Sequence, residues 1–519
     1  MNNNNPYNNQ QMPQMGQPLM PPVSPRGKWQ QRAMNTIGRV GKITFPKWLT
    51  QYGVVVYLIA LAAVSLMYSL YSMPWYYMLS GIVAIIVFFF YGSYLTNKRL
   101  SIDRVRRQQD FEKKIFWIAF IPRILWMLLI YAIFMQNYGD AFGFENGDAQ
   151  FYHVIGVEFA DAISNNNFGG YWKNLQKSLD ISDMGYASYV GLIYWLTDDS
   201  ILAVRFIKCI WSALTVVLIY RLAKRNFGEQ TGWLTAIFCA LWTNFWYYSG
   251  CHLKETEMVF LGVLFMEQTD QMLRSRQFTA WKVIPVLLIA AAMFTFRTII
   301  GILLILAMLF AVIMSSTKVV SWGKRIIVGG LAIALVGVIA GNSIREQASN
   351  LFEQVRSNDQ EKNMEWRTQR ENGNAFAKYA GSAVFAPMIF TLPFPTMTKP
   401  FEGQDMQMIL NGGNFCKNIL SFFSILALVM LLMSGKWRDH MLPLAFMIGY
   451  VIVLAFSSFA QSERFHQPAM PFEFMFAAYG LSIAVTKAKY KRWFTYWCAL
   501  MFVACIAWNW FKLAGRGLA

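Results

Sequence analysis

The stretch IFWIAFIPRILWMLLIYAIFMQ, residues 115–136, is followed closely by the acidic motif Gly147-Asp148-Ala149-Gln150-Phe151-Tyr152. The run is long enough to cross a bilayer, for which roughly 20 apolar residues suffice. Asp148 is therefore expected at the mouth of a transmembrane bundle, where a charge is costly unless it is hydrated, paired or used. It is a functional-site candidate on that ground.

Outward from this stretch the pattern repeats. Of 519 residues, 56% are hydrophobic and only 14% charged, too apolar a balance for a soluble protein of several domains. Apolar runs near 53–72, 75–96, 115–136, 200–220, 231–249, 253–270, 283–297, 298–316, 325–342, 415–433, 441–459, 467–485 and 493–511 predict an all-α polytopic membrane protein. About 11–13 transmembrane helices are expected. The net charge of +18 does not require nucleic acid, because the cations sit between spans. Lys98, Lys224 and Arg225, Arg274, Lys324, Lys436 and Lys487 fall in every second loop. By the positive-inside rule those loops and the N-terminus are cytoplasmic.

That orientation sends two long segments outward, 137–199 and 343–414, each expected to carry interfacial helices. The first is acidic, with Asp140, Glu145, Asp148, Glu158, Asp161, Asp180, Asp183, Asp198 and Asp199 against Lys173 and Lys177. Apolar residues from Phe151 to Ile163 recur at helical spacing, and Asn165-Asn166-Asn167 ends the helix. Tyr186–Leu196 suits a helix in the membrane interface. The second segment reads as a polar helix over 344–371, then a partly embedded irregular stretch through Pro387, Pro393, Pro395 and Pro400, since Pro at that density opposes a helix. The chain thus divides into a disordered basic tail (1–47), two additional spans with a basic loop (48–114), a core (115–342), the second outer loop (343–414) and C-terminal spans (415–519). The tail lacks the charged start and apolar run of a signal peptide. No metal-binding Cys/His spacing appears, and a Cys251–Cys416 disulfide is geometrically open, with free thiols favoured.

Charged groups from different hairpins are expected on one membrane surface. Asp148 opens the first outer segment, and His252, Lys254, Glu255 and Glu257 occupy a short turn. Arg297 interrupts an apolar run, Arg345 begins the second outer segment, and Glu463, Arg464 and His466 fill the last outer turn. A carboxylate near fixed cations can bind a lipid phosphate and take a proton from an acceptor hydroxyl. Each residue also has a plainer reading: Lys254 as a snorkelling interfacial lysine, the loop acids as solvated charges.

These residues resemble a known family. Gly147-Asp148-Ala149-Gln150-Phe151-Tyr152, followed by Arg205, Leu218-x-Tyr220-Arg221-Leu222-Ala223-x-Arg225-x-Phe227-Gly228 and Gly232-Trp233-Leu234, looks like the type C glycosyltransferases. These include dolichyl-phosphate-mannose protein mannosyltransferases and bacterial aminoarabinose transferases. Glu463-Arg464-Phe465-His466-Gln467-Pro468-x-x-Pro471 is similar to a late Arg-Tyr-x-x-Pro-x-x-Pro turn of that family. The resemblance covers residues 115–340 and 460–485, with Ala149 standing where many members have Glu.

It implies an inverting transferase that moves a sugar from a polyprenyl-phosphate donor to a lipid, glycan or protein acceptor, with Asp148 as base. Lys254, Arg297, Arg464 and Arg345 are then the donor-phosphate candidates, and Tyr152, His252, Glu255, Glu463 and His466 support the acceptor side. No cofactor is required, and a divalent cation between carboxylate and phosphate is left open. The expected location is a bacterial inner membrane with the site on its periplasmic face. A surface-polysaccharide polymerase or ligase stays open, as does a transporter or flippase of lipid-linked glycans. The latter predicts charges near mid-bilayer and broken helices in paired positions.

Overall fold

The computed structural model describes residues 45–99, 108–143, 146–171, 181–275, 280–339, 388–399, 405–456, 462–515 and 518. The N-terminal tail to residue 44, Arg345 and the polar stretch 344–371 lie outside them. The protein is an all-α integral membrane protein: seven of its described helices are long and apolar enough to cross a membrane. They are α1 (Lys47–Met67), α2 (Trp75–Lys98), α3 (Gln108–Tyr138), α6 (Ile201–Phe227), α13 (Asn411–Ser434), α14 (Met441–Phe456, which with the turn before it gives the span Lys436–Ala455) and α17 (Ala488–Ala514). Shorter helices lie between them: α4 (Asn146–Ser164), α5 (Ile181–Thr197), α7 (Glu229–Leu241), α8 (Thr243–Gly250), α9 (Glu255–Arg274), α10 (Val283–Phe296), α11 (Thr298–Met314), α12 (Trp322–Ile339), α15 (Glu463–His466) and α16 (Met470–Ala484), with a five-residue helix, Asp405–Ile409, just ahead of α13.

Each boundary has a local cause. Pro46 and Pro74 precede α1 and α2, where a missing N–H costs nothing. The Ser200 hydroxyl accepts from the Ala203 amide at 3.3 Å to start α6, and Lys224 and Arg225 meet the dipole in its last turn. Gly228 (φ +92°) and Gly435 (φ +71°) then turn the chain where a side chain would be strained. α4 begins at the acidic motif itself, so Asp148 lies in a first helical turn. It stops at the asparagines, with Asn166 left-handed (φ +50°).

Several apolar runs are broken rather than continuous. The run 231–249 divides at Trp242, where the carbonyls of Cys239 and Ala240 end α7. The buried Arg123 guanidinium donates to both, at 3.1 and 3.2 Å. Its Nε donates to the Ser212 hydroxyl at 2.7 Å. The helix end satisfies this deep charge, and the charge closes the helix end. The next long apolar stretch breaks at Arg297, whose backbone is extended (φ −162°, ψ 100°). Arg123 is a buried charge within the length of α3 that the reading of the outer charges did not include.

Helices α6, α7, α9 and α3 pack together, α13 lies along α16, and α4 lies against α5. α5 does not rest alone on the bilayer. Tyr186, Ala187, Val190 and Tyr194 are buried against the bundle, while Leu192 and Trp195 are exposed. Of the Pro-rich stretch, residues 388–399 are irregular, as expected, and mostly buried among the spans, which hold their backbone, while Pro387 and Pro400 lie outside the described residues. Asn509 accepts from the Met397 amide at 2.7 Å and donates to the Pro395 carbonyl at 3.1 Å. Asn418 donates to Pro393 and Ser421 to Phe390. None of the six cysteines is in a disulfide, and all are buried.

Candidate active site

Three elements converge beside the first turn of α4. The turn of α15 brings Arg464, the first turn of α9 brings Glu255, and α4 brings Asp148. The Arg464 guanidinium bridges the two carboxylates, Nε to Glu255 and Nη1 to Asp148. Burial alone would lower its affinity for a proton, but the two carboxylates more than reverse that, so it stays cationic. Glu255 is nearly inaccessible, whereas the Asp148 side chain is 58% exposed. Arg464 therefore has one anchored partner and one open to exchange.

A second ion pair lies alongside. Lys254, just ahead of α9, bonds Asp183 in the first turn of α5 and the Ser182 carbonyl. The Tyr152 hydroxyl donates to the same Asp183 carboxylate at 2.8 Å. Burial raises the Asp183 carboxyl's pKa, yet Lys254, Tyr152 and Arg297 together hold it below the ordinary value. Burial lowers that of Lys254 despite Asp183. Tyr152 is within electrostatic reach of Glu255 and Arg464, which joins the two pairs into one polar floor. Arg297 places its guanidinium 5.4 Å from the centre of the Phe465 ring, in the same turn as Arg464. No described carboxylate pairs with it. Glu255, in the first turn of α9, is turned to Arg464 instead.

His252 lies beneath this floor, its ring stacked 6.1 Å from that of Tyr194. Burial, then Arg205 and Lys208, keep its pKa well below the ordinary value, so it is a neutral ring. Glu463 and His466 share the turn with Arg464 but point into the bundle. Asn414 donates to Glu463 at 3.3 Å, and His466 Nδ1 is 2.9 Å from the Lys417 ammonium. The structure brings Asp148, Glu255, Lys254, Arg464, Tyr152 and Arg297 together, and it turns Glu463 and His466 away from them.

Sequence reasoning missed Asp183, one of many acids in its loop. It also missed the buried Lys208–Glu257 pair, 2.9 Å apart, and Lys417. An isolated Lys within an apolar run, as at 208 and 417, was the available signal. At the opposite end of α6 and α9, Arg225 pairs with Glu267 and Asp270, and Arg274 with Asp270. The basic turns thus gather at one end of the bundle and the Asp148 group at the other.

No curated protein and no solved structure matches this chain. Residues 186–341 match the family described as dolichyl-phosphate-mannose-protein mannosyltransferase. The matched segment holds His252, Lys254, Glu255 and Arg297, while Asp148 and Arg464 lie outside it. With the helices long enough to span a membrane, this match bears out the resemblance read from the sequence and supports a membrane glycosyltransferase.

Proposed function

We propose that the protein transfers a sugar from a polyprenyl-phosphate-linked donor to an acceptor hydroxyl on a lipid, glycan or protein. The site would face the periplasm from a bacterial inner membrane, with 115–342 as the transferase core and the C-terminal spans contributing Arg464. The observation that carries this reading is the single guanidinium shared by Asp148 and Glu255, with Lys254 and Arg297 beside it.

Asp148 accepts the proton of the acceptor hydroxyl as its oxygen attacks the anomeric carbon. The bond from that carbon to the phosphate oxygen breaks on the far side, which inverts the configuration. The departing phosphate gains one negative charge. Fixed cations therefore bind it more strongly in the transition state than in the donor, the condition for acceleration. The donor phosphate competes for Arg464, so its arrival draws the guanidinium from Asp148 and frees the base. Glu255 holds the other side of Arg464 throughout.

Asp148→Asn tests this reading. It keeps size and removes the base, and transfer to acceptor from a short-chain polyprenyl-phosphate sugar should fall by about 100- to 10,000-fold. Donor binding should persist. Asp140→Asn is the control: Asp140 Oδ1 accepts from the Phe142 and Gly143 amides at 2.7 Å, and the Asn oxygen reproduces both bonds. Activity of Asp148→Asn within a few-fold of the parent rules the base out. Loss of transfer on chelation would add a divalent cation to the site.

A further inference from the structure

A groove of about 1010 Å³ opens between α2, α3, α8 and the short helix Asp405–Ile409 with Leu410 after it. It shares no residue with the site above. Its length is apolar, walled by Leu79, Val83, Leu129 and Ile133, all of them exposed or nearly so in a protein whose helices span a membrane. One end is different. There Lys399, Asp405 and the rings of Tyr76, Tyr77 and Tyr138 line the same groove.

This polar end is built rather than incidental. The Tyr77 hydroxyl donates to Asp405 Oδ1 at 2.7 Å, which fixes the carboxylate against α2. Tyr76 and Tyr77 meet edge to face, 4.5 Å between centroids. Tyr138 lies within electrostatic reach of Asp405 and Tyr76. The Lys399 amide is tied to the Tyr71 carbonyl at 2.8 Å, and no described residue pairs with its ammonium. A carboxylate among aromatic rings favours a cation, and an ammonium lining the same groove favours a phosphate. An anionic headgroup without an amine would face Asp405 uncompensated.

We propose that this groove binds one phosphatidylethanolamine, with its ammonium at Asp405 and the tyrosines, its phosphate at Lys399 and its chains along α2 and α3. A primary ammonium brings N–H donors for the other Asp405 oxygen, which has no partner among the described residues and which a choline headgroup cannot serve in this way. The site also touches the catalytic end of the bundle. Tyr247 and Leu410 line the groove and belong to the same packed cluster as Phe142 and Ala149, the neighbour of Asp148.

The test needs no catalysis, so it stands or falls apart from the transferase reading. The full chain is placed in nanodiscs of equal phosphatidylcholine, phosphatidylethanolamine and phosphatidylglycerol, then released and weighed by native mass spectrometry. One phosphatidylethanolamine per chain should be retained. Asp405→Asn and Lys399→Ala should each lower its retention at least tenfold, and Ile133→Trp, which fills the groove, should abolish it. In the unaltered protein, phosphatidylethanolamine carrying a photoactivatable chain should crosslink chiefly to residues 79–83 and 129–133. Equal retention of the three lipids, preference for phosphatidylglycerol, or crosslinks spread evenly over the spans would overturn the proposal.

Discussion

Arg464 holds two acids at once, and what it does depends on its planar fork. Lys at 464 keeps the charge but loses the rigid planar fork whose separate N–H groups reach the two carboxylates. Arg464→Lys should therefore retain weak binding of a polyprenyl-phosphate analogue, while Arg464→Ala should lose it. Parent-like affinity in the alanine variant would move the phosphate site to Arg297. Asp183 gives a second residue-level test, through pH. Its carboxyl has a folded pKa below the unfolded one, with burial opposing and Lys254, Tyr152 and Arg297 prevailing. Its stabilisation is thus complete above about pH 4 and is lost as pH falls through the lower folded value. The gap in unfolding midpoint between the parent and Asp183→Asn should hold steady from neutrality to about pH 5 and shrink below about pH 4. A gap that grows on acidification would contradict the Lys254–Asp183 pairing. Asp148, Lys254 and Arg464 were legible because each interrupts an apolar context or sits in a short motif. Asp183 was not, since only the approach of α9 to α5 distinguishes it from the other acids of its loop.

At the scale of elements, the irregular stretch 388–399 depends on helices for what a helix would have supplied itself. Asn509 supports the Met397 amide and the Pro395 carbonyl from near the C-terminal end of α17. Asn509→Leu should strand both, at about 1–3 kcal/mol for each buried group left unpaired. The measurement is thermal unfolding in detergent, and an unchanged midpoint would mean that water or another side chain takes over. The α13–α16 contact is less forgiving. Any Cβ at Gly480 would enter the van der Waals envelope of the Phe423 carbonyl oxygen, which is backbone and has no rotamer to change. Gly480→Ala should destabilise more than Asn509→Leu, because two helices must separate. Pro density marked the irregular stretch in the sequence. Nothing there distinguished Gly480 from other glycines in apolar runs, because close approach belongs to a pair of helices.

For the molecule as a whole, composition and run length were enough for an all-α membrane protein, because lipid leaves a spanning chain few other ways to satisfy its backbone. The breaks at Trp242 and Arg297 were harder to read. An Arg in an apolar run signals cost but does not say whether the chain will bend there, as at Arg297, or bury the charge against another helix end, as at Arg123. Orientation rests on charge alone. Arg225, Arg274 and their acidic partners occupy one end of α6 and α9, and Asp148, Lys254 and Arg464 the other. The positive-inside rule assigns the first end to the cytoplasm. Single cysteines at 148, 254 and 463, introduced into a chain whose native cysteines are all buried, should react with an impermeant maleimide from outside the cell where exposed. Glu463 is buried, so its cysteine should label only after mild detergent, whereas one at the more exposed Asp148 should label directly. Cysteines at 98, 224 and 487 should label only from the cytoplasmic side. Labelling of 148 and 224 from the same side would contradict the bundle itself, since α6 separates the two ends. Labelling of 148 only from inside would keep the bundle and invert it, placing sugar transfer on the cytoplasmic leaflet.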